Sequence, residues 1–196
     1  MKFFIVGDTH LNHGKIATYC QRPENFTELI IKRWNERVRP EDTVIHLGDV
    51  AIGKKEYIAP QVRLLNGNKI LIRGNHDKHG SLSWWADNGF QFACDGMIFR
   101  GCWLAHYPPT SHSLPRGCDL NIHGHLHNIW DGFHPNASVD AMSEEWMRLK
   151  KELRFKWQRL FAIEYTNYYP IEFDEFVAHP DKYQARGPKP ESQGLK

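Results

Sequence analysis

The sequence predicts an α/β chain built on two sheets, and three observations carry that reading. Short apolar runs alternate with helical patterns as far as residue 73, the β-α-β-α-β rhythm of a parallel sheet. After residue 88 the texture changes to short apolar runs between tight turns, which read as a second, mixed sheet. Several runs end in Asp, Asn or His, where a polar side chain reaches the crevice at the carboxyl ends of an open sheet.

Each element has its own signal. Residues 3–6 are the first strand, buried on both faces because the run does not alternate. Residues 11–22 are a polar loop carrying His13, followed by Pro23. Asn25 caps a helix over residues 26–39, with Leu29, Ile30, Trp34 and Val38 as its apolar stripe, and Pro40 stops it. Residues 43–47 are the second strand. Residues 55–65 are a helix with Tyr57, Ile58, Val62 and Leu65 inward, ended by Asn66-Gly67-Asn68. Residues 69–73 are the third strand and feed Gly74-Asn75-His76. Residues 81–88 make a short helix.

The stretches 90–93, 96–99, 102–105 and 120–122 are then assigned to the second sheet. Pro108-Pro109 opens a loop that reaches Cys118 along the rim of the crevice. Met142, Trp146, Leu149, Leu153, Trp157 and Leu160 recur at three- and four-residue steps, an amphipathic helix whose other face carries Arg148, Lys150, Lys151, Arg154, Lys156 and Arg159. Residues 160–165 form a late strand, and a last helix lies near residues 174–178. The organisation is one domain over residues 1–180 and a flexible tail over 181–196.

A chain of 196 residues can bury one sizeable core. Its net charge of +2 gives no strong field toward nucleic acid or membrane. Cys20, Cys94, Cys102 and Cys118 have no paired close spacing and no secretory signal precedes them, so they read as reduced thiols in a cytoplasmic protein. No apolar stretch approaches a membrane span. Seven of the twelve histidines fall between His76 and His127, and their placement after strands, not their number, points to chemistry.

The polar strand ends are Asp8 with His10, Asp49, Asn75 with His76, His106, and His125 with His127. Carboxylate, imidazole and amide donors at five strand ends make a metal-site pattern. Mixed N and O donors suit Mn, Fe, Ni or Zn and disfavour Ca or Mg. Single residues also have plainer readings: Asp8 as a turn former, His106 as a core histidine, His76 as a structural residue of its turn. His13, three residues after His10, reads equally as a substrate contact and as a loop histidine. His123 and His46 sit within strands and are not assigned to metal. Lys54, Lys55, Arg22 and Arg116 could meet phosphate oxygens, though charged loop residues usually do nothing specific.

In order, these pieces read Asp8-Thr9-His10, Gly48-Asp49, Gly74-Asn75-His76-Asp77, His106 and Gly124-His125-Leu126-His127, and they resemble the calcineurin-like metallophosphoesterase superfamily. The resemblance implies a four-layer α-β-β-α sandwich with two mixed sheets. It implies two divalent metal ions, one held by Asp8, His10, Asp49 and His127, the other by Asn75, His106, His125 and Asp49. A shared anion offsets the repulsion of two cations ~3.5–4 Å apart. The implied reaction is phosphate-ester hydrolysis by a metal-activated water or hydroxide, with His76 protonating the leaving oxygen and Asp77 orienting its imidazole.

The turn after Asp49, Val50-Ala51-Ile52-Gly53, lacks the Arg-Gly of the protein Ser/Thr phosphatases, which leaves small phosphodiesters, phosphomonoesters and nucleotides as substrates. The likeness is to small bacterial or bacteriophage phosphoesterases. The family passes from its Gly-His-x-His loop to a final strand pair with little between, so residues 128–160 read as a helical insertion. The rival readings are a non-catalytic scaffold of the same fold and a nuclease using the basic inserted helix; the pI near 8.3 gives the nuclease little drive. A monomer and a homodimer are both compatible with the chain.

Overall fold

The structure is a computed structural model that describes residues 1–109, 114–128, 157–179 and 182–183. Among these residues two mixed sheets form. The first has five strands in the order β4-β3-β2-β1-β9 and the second has four, β5-β6-β7-β8. In the first, β1 (Phe3–Val6), β2 (Thr43–His46), β3 (Asn68–Ile72) and β4 (Phe92–Cys94) run parallel, and β9 (Ile171–Glu172) lies antiparallel against β1. In the second, β5 (Met97–Phe99) is antiparallel to β6 (Cys102–Ala105), which runs parallel to β7 (Leu120–His123), itself parallel to β8 (Gln158–Leu160). Phe4 and Val6 of one sheet and Leu104 and Ile122 of the other share one buried core. Phe3 meets Phe99 across it at 5.0 Å between ring centroids, and Phe99 meets Phe173 at 4.9 Å.

Register explains why distant motifs meet. Val6 lies beside His46 and His46 beside Leu71, so β1, β2 and β3 end level with one another. Each then releases its polar loop on the same edge: Gly7-Asp8, Gly48-Asp49 and Gly74-Asn75. In the other sheet Ala105 lies beside His123, which brings His106 next to Gly124-His125. Backbone bonds continue this alignment past the strands, from Asp8 N–H to Gly48 O at 2.9 Å and from Gly124 N–H to His106 O at 3.1 Å.

The helices are α1 (Gly14–Tyr19), α2 (Phe26–Arg37), α3 (Lys55–Arg63), α4 (Leu82–Asp87) and α5 (Phe173–Ala178), with a 3-10 turn at His76–His79. Several differ from expectation. Helix α1 lies inside the stretch expected to be loop, where Ile16 and Cys20, four residues apart, are both buried. Asn25 precedes α2 without a side-chain cap bond, and the helix ends two residues early because Val38 turns extended. Tyr57 of α3 faces out at 61% exposure. Strand β4 joins the first sheet, not the second: α4 carries the chain back across it, and a helical crossover of that kind delivers a parallel strand. The late strand is Gln158–Leu160, within the stretch expected as helix, and the chain turns at residues 161–169. The rest of the expected helix, over residues 142–156, lies outside the described residues. Tyr183, expected in a mobile tail, packs on Phe176 at 5.8 Å.

Trp34 ties α2 to this framework. It is fully buried, donates its indole N–H to Asn66 O at 2.9 Å, and stacks on His46 of β2. Trp34→Ala is expected to cost ~3–5 kcal/mol of stability, the usual range for deleting a buried Trp, which urea unfolding followed by circular dichroism measures.

Candidate metal centre

The loops that carry the motif residues bend sharply. Asp8, His10, Asp49, His125 and His127 all have positive φ, from 46° to 72°. They are five of the ten non-glycine residues in that conformation among those described, an excess at one place that marks a strained, over-determined site. Two glycines let carboxylates come close. A Cβ at Gly74 would strike Asp49, whose N lies 2.7 Å from that position, and a Cβ at Gly124 would strike the Asp8 carboxylate. That is the physical reason for Gly before Asn75 and before His125.

The side chains gather in overlapping groups. Asp8, His10 and His127 each offer an atom within 4.8 Å of the others, and so do Asp49, His106 and His125. Asp49 Oδ2 stands between the groups, 3.4 Å from His10 Nε2 and 3.5 Å from His106 Nε2. Asn75 Oδ1 lies 2.9 Å from His106 Nε2. Both Asp8 oxygens also accept the His125 backbone N–H, at 3.1 and 3.0 Å.

These donors fit a cation. His106 donates Nδ1–H to Leu47 O at 2.8 Å, so its Nε2 presents a lone pair toward the oxygens of Asn75 and Asp49. Burial holds the His106 pKa down to about 2, so no proton fills the gap. His10 Nε2 is buried with no hydrogen-bond partner. Burial lowers His125 to about 4 and depresses His10 strongly, with His127 adding to the effect on both. The carboxylates are pushed the other way. Asp8 is raised by burial and by Asp49, and Asp49 by burial and by Asp77. Burial disfavours both the protonated imidazoles and the bare carboxylates, so neutral ring nitrogens face the carboxylates, and a divalent ion bound among them would favour the carboxylates as anions.

His76 borders the same group. Its backbone N–H donates to Asp49 Oδ1 at 2.9 Å, and its Nε2 lies 4.0 Å from Asp49 Oδ2. Its side chain is 39% exposed while Asp49 is buried, so His76 stands at the mouth. The His13 ring lies 5.8 Å from it, with Nδ1 3.4 Å from His10 Nδ1. Asp77, expected to orient His76, also receives three backbone N–H groups on its carboxylate. It accepts from Asp49 N at 2.6 Å, Val50 N at 2.9 Å and Gly74 N at 2.8 Å. Asp77 is therefore a clamp that ties the second and third loops together.

His46 is a neutral cross-link, kept so by burial at a pKa of about 3. Its Nδ1 accepts from Gly48 N at 3.1 Å, and its Nε2 meets Thr9 Oγ1 at 2.9 Å, whose hydroxyl donates to Val50 O. His123 lies outside the metal-ligand groups, with Nδ1 on Gly124 O. Two residues next to the site were not expected there. Glu164 lies 3.3 Å from His127 Nδ1. Arg22, considered above for phosphate, is buried and bonded to Glu164 and to the first loop. A lone Glu beyond the last motif offers no sequence signal.

Fold and donor set together define a metallophosphoesterase framework with clustered Asp and His able to hold metal. More particularly, the chain belongs to the calcineurin-like phosphoesterases, whose family model matches residues 1–179. It is 37% identical over 133 residues to the uncharacterized protein MJ1445 of Methanocaldococcus jannaschii, covering 64% of this chain and 69% of that one. It is similar to the crystal structure of AQ665, a protein of unknown function from Aquifex aeolicus, with a TM-score of 0.61 and 24% identity over 90% of this chain and 98% of that one, a likeness of fold alone. Family and donor clusters support metal-dependent phosphoester hydrolysis in general. No helix among the described residues is long and apolar enough to cross a membrane.

Asp77→Ala would strand three buried N–H groups. It is expected to cost ~3 kcal/mol or more, at 1–3 kcal/mol for each buried donor left unsatisfied, and thermal unfolding of the metal-free protein measures the loss.

Proposed function

We propose that this chain hydrolyses small phosphate esters using two divalent transition-metal ions. The position of the Asp49 carboxylate between two groups of donors carries the reading. Asp8, His10 and His127 with Asp49 would hold one ion. Asn75, His106 and His125 with Asp49 would hold the other. The mixed nitrogen and oxygen donors favour Mn, Fe, Ni or Zn. When bound, such ions lower the pKa of water and neutralise phosphoryl oxygens.

The remaining work falls to the chain's own groups. The half-exposed His76 Nε2 can hold a proton for the leaving oxygen, and its exposure gives a substrate access that the buried imidazoles of His10 and His106 lack. His13, beside His76 and partly exposed, can meet the same phosphoryl group. The Asp77 clamp and the His46 cross-link hold the loops at fixed spacing, so the donors need little rearrangement when substrate binds. The unpaired cysteines support a reducing, cytoplasmic setting. The substrates this reading admits are phosphodiesters, phosphomonoesters and nucleotides. A hydrolysis screen of chromogenic mono- and diesters with Mn²⁺, Ni²⁺, Zn²⁺ or Mg²⁺ tests it, and inactivity with every metal would favour a binding scaffold.

Two variants sharpen the test. Asp49→Ala is expected to lose at least one ion and nearly all activity, because the shared anion is gone; elemental analysis that still finds two ions would overturn the assignment. His76→Ala is expected to keep its metal content. It should lose ~10²–10⁴-fold in rate on an alkyl ester, the usual worth of a general acid, and much less on a p-nitrophenyl ester, whose leaving group needs no proton. Equal losses on both would assign His76 to phosphate binding instead.

A further inference from the structure

Behind the first group of donors lies a buried ion pair that no motif contains. Glu164 Oε1 accepts from Arg22 Nε at 3.0 Å and Nη2 at 2.6 Å, with side-chain exposures of 5% for Glu164 and 0% for Arg22. The same oxygen lies 3.3 Å from His127 Nδ1. Arg22 also donates Nη1–H to Thr9 O at 2.8 Å and Nη2–H to Asp8 O at 2.7 Å. Its Nη2 lies 3.5 Å from His127 Nδ1 as well, but both Nη2 hydrogens already go to the shorter bonds with Asp8 O and Glu164 Oε1, which leaves Nδ1 to donate to Glu164. One guanidinium thus holds both the left-handed Asp8-Thr9-His10 loop and the carboxylate behind His127.

We infer that Glu164 is a positioning residue for His127, and that the Arg22–Glu164 pair sets metal affinity at the Asp8, His10 and His127 group only. The inference rests on the two-ion reading above. With Nδ1–H donated to Glu164, the His127 tautomer is fixed and Nε2 turns its lone pair toward Asp8, 3.9 Å away. A carboxylate behind an imidazole strengthens it as a ligand more than a neutral acceptor does. The other group has the neutral version: His106 Nδ1–H goes to the Leu47 peptide oxygen. Glu164 also lies on the C-terminal side of the stretch read as an insertion, so the first group is completed by a residue from beyond it.

The test is stepwise Mn²⁺ titration against a competing chelator. Glu164→Gln keeps the size and an acceptor oxygen but removes the charge. One of the two ions should bind ~10–100-fold more weakly, the usual effect of losing a partner behind a ligand, while the other keeps its wild-type affinity. Because Gln leaves Arg22 buried without its counter-charge, Glu164→Asp is measured beside it. Asp keeps the counter-charge for Arg22 yet draws the carboxylate back from Nδ1, and should show the same selective loss with the thermal unfolding of the metal-free protein closer to wild type than that of Glu164→Gln. In a His125→Ala background the surviving ion should be the one that Glu164→Gln weakens. Equal weakening of both ions, or of neither, overturns the inference while leaving two-ion binding intact. A wild-type protein that holds a single ion overturns the two-ion reading itself, and the selectivity claimed here with it.

Discussion

Asp49 keeps a carboxylate where water scarcely reaches it, and its neighbours are arranged around that group. Its backbone N–H is held by Asp77, its Oδ1 receives the His76 N–H, and its Oδ2 faces His10 and His106. Burial and the nearby Asp77 raise its pKa, so the bare anion is disfavoured, while burial keeps the imidazoles around it neutral. A cation held among these donors would stabilise the carboxylate as an anion. Asp8 too is buried, beside Asp49 and Glu164 that raise its pKa and Arg22 that lowers it.

Strand register turns this local chemistry into a site. Parallel strands that end level release their loops side by side, and three motifs separated by dozens of residues become neighbours without any long-range search by their side chains. The second sheet repeats the device with His106 and His125. The two sheets share one core, so displacement of either would separate the two halves of the donor set. The fold therefore supplies distances, and the loops supply chemistry.

The parts legible in the sequence are those with local causes. Gly74 and Gly124 stand where a carboxylate approaches the backbone, and Gly48 takes a positive φ against the Gly74 backbone, so each of these motifs carries a glycine its geometry requires. The first two strands were readable because both their faces are buried, which abolishes alternation. What escaped reading depends on distant pairing. Glu164 and Arg22 meet across 142 positions, and nothing near either residue announces the other. The bonds of the Asp77 carboxylate to the N–H groups of Asp49 and Val50, more than twenty residues earlier, likewise have no local signal. Strand β4 was placed in the wrong sheet because a short strand carries no mark of which edge it joins; only the crossover through α4 decides that.

The left-handed residues add a final constraint. Sparsely populated backbone costs on the order of 1–3 kcal/mol per residue, somewhat less for Asp than for most, and five such residues lie in one site. Against a typical total stability of ~5–15 kcal/mol, that load cannot be left unopposed. The clamps are placed where it accumulates. Arg22 holds the carbonyls of Asp8 and Thr9, Asp77 holds the N–H groups of Asp49 and Val50, and the Asp8 carboxylate holds the N–H of His125. Each strained loop is thus fixed by a buried charge from another part of the chain. A metal ion that binds only the folded arrangement adds to these clamps by mass action, so loop geometry and metal affinity are two faces of one equilibrium. On that coupling, Arg22 and Asp77, which hold the loops through backbone groups, would influence metal binding without being donors themselves.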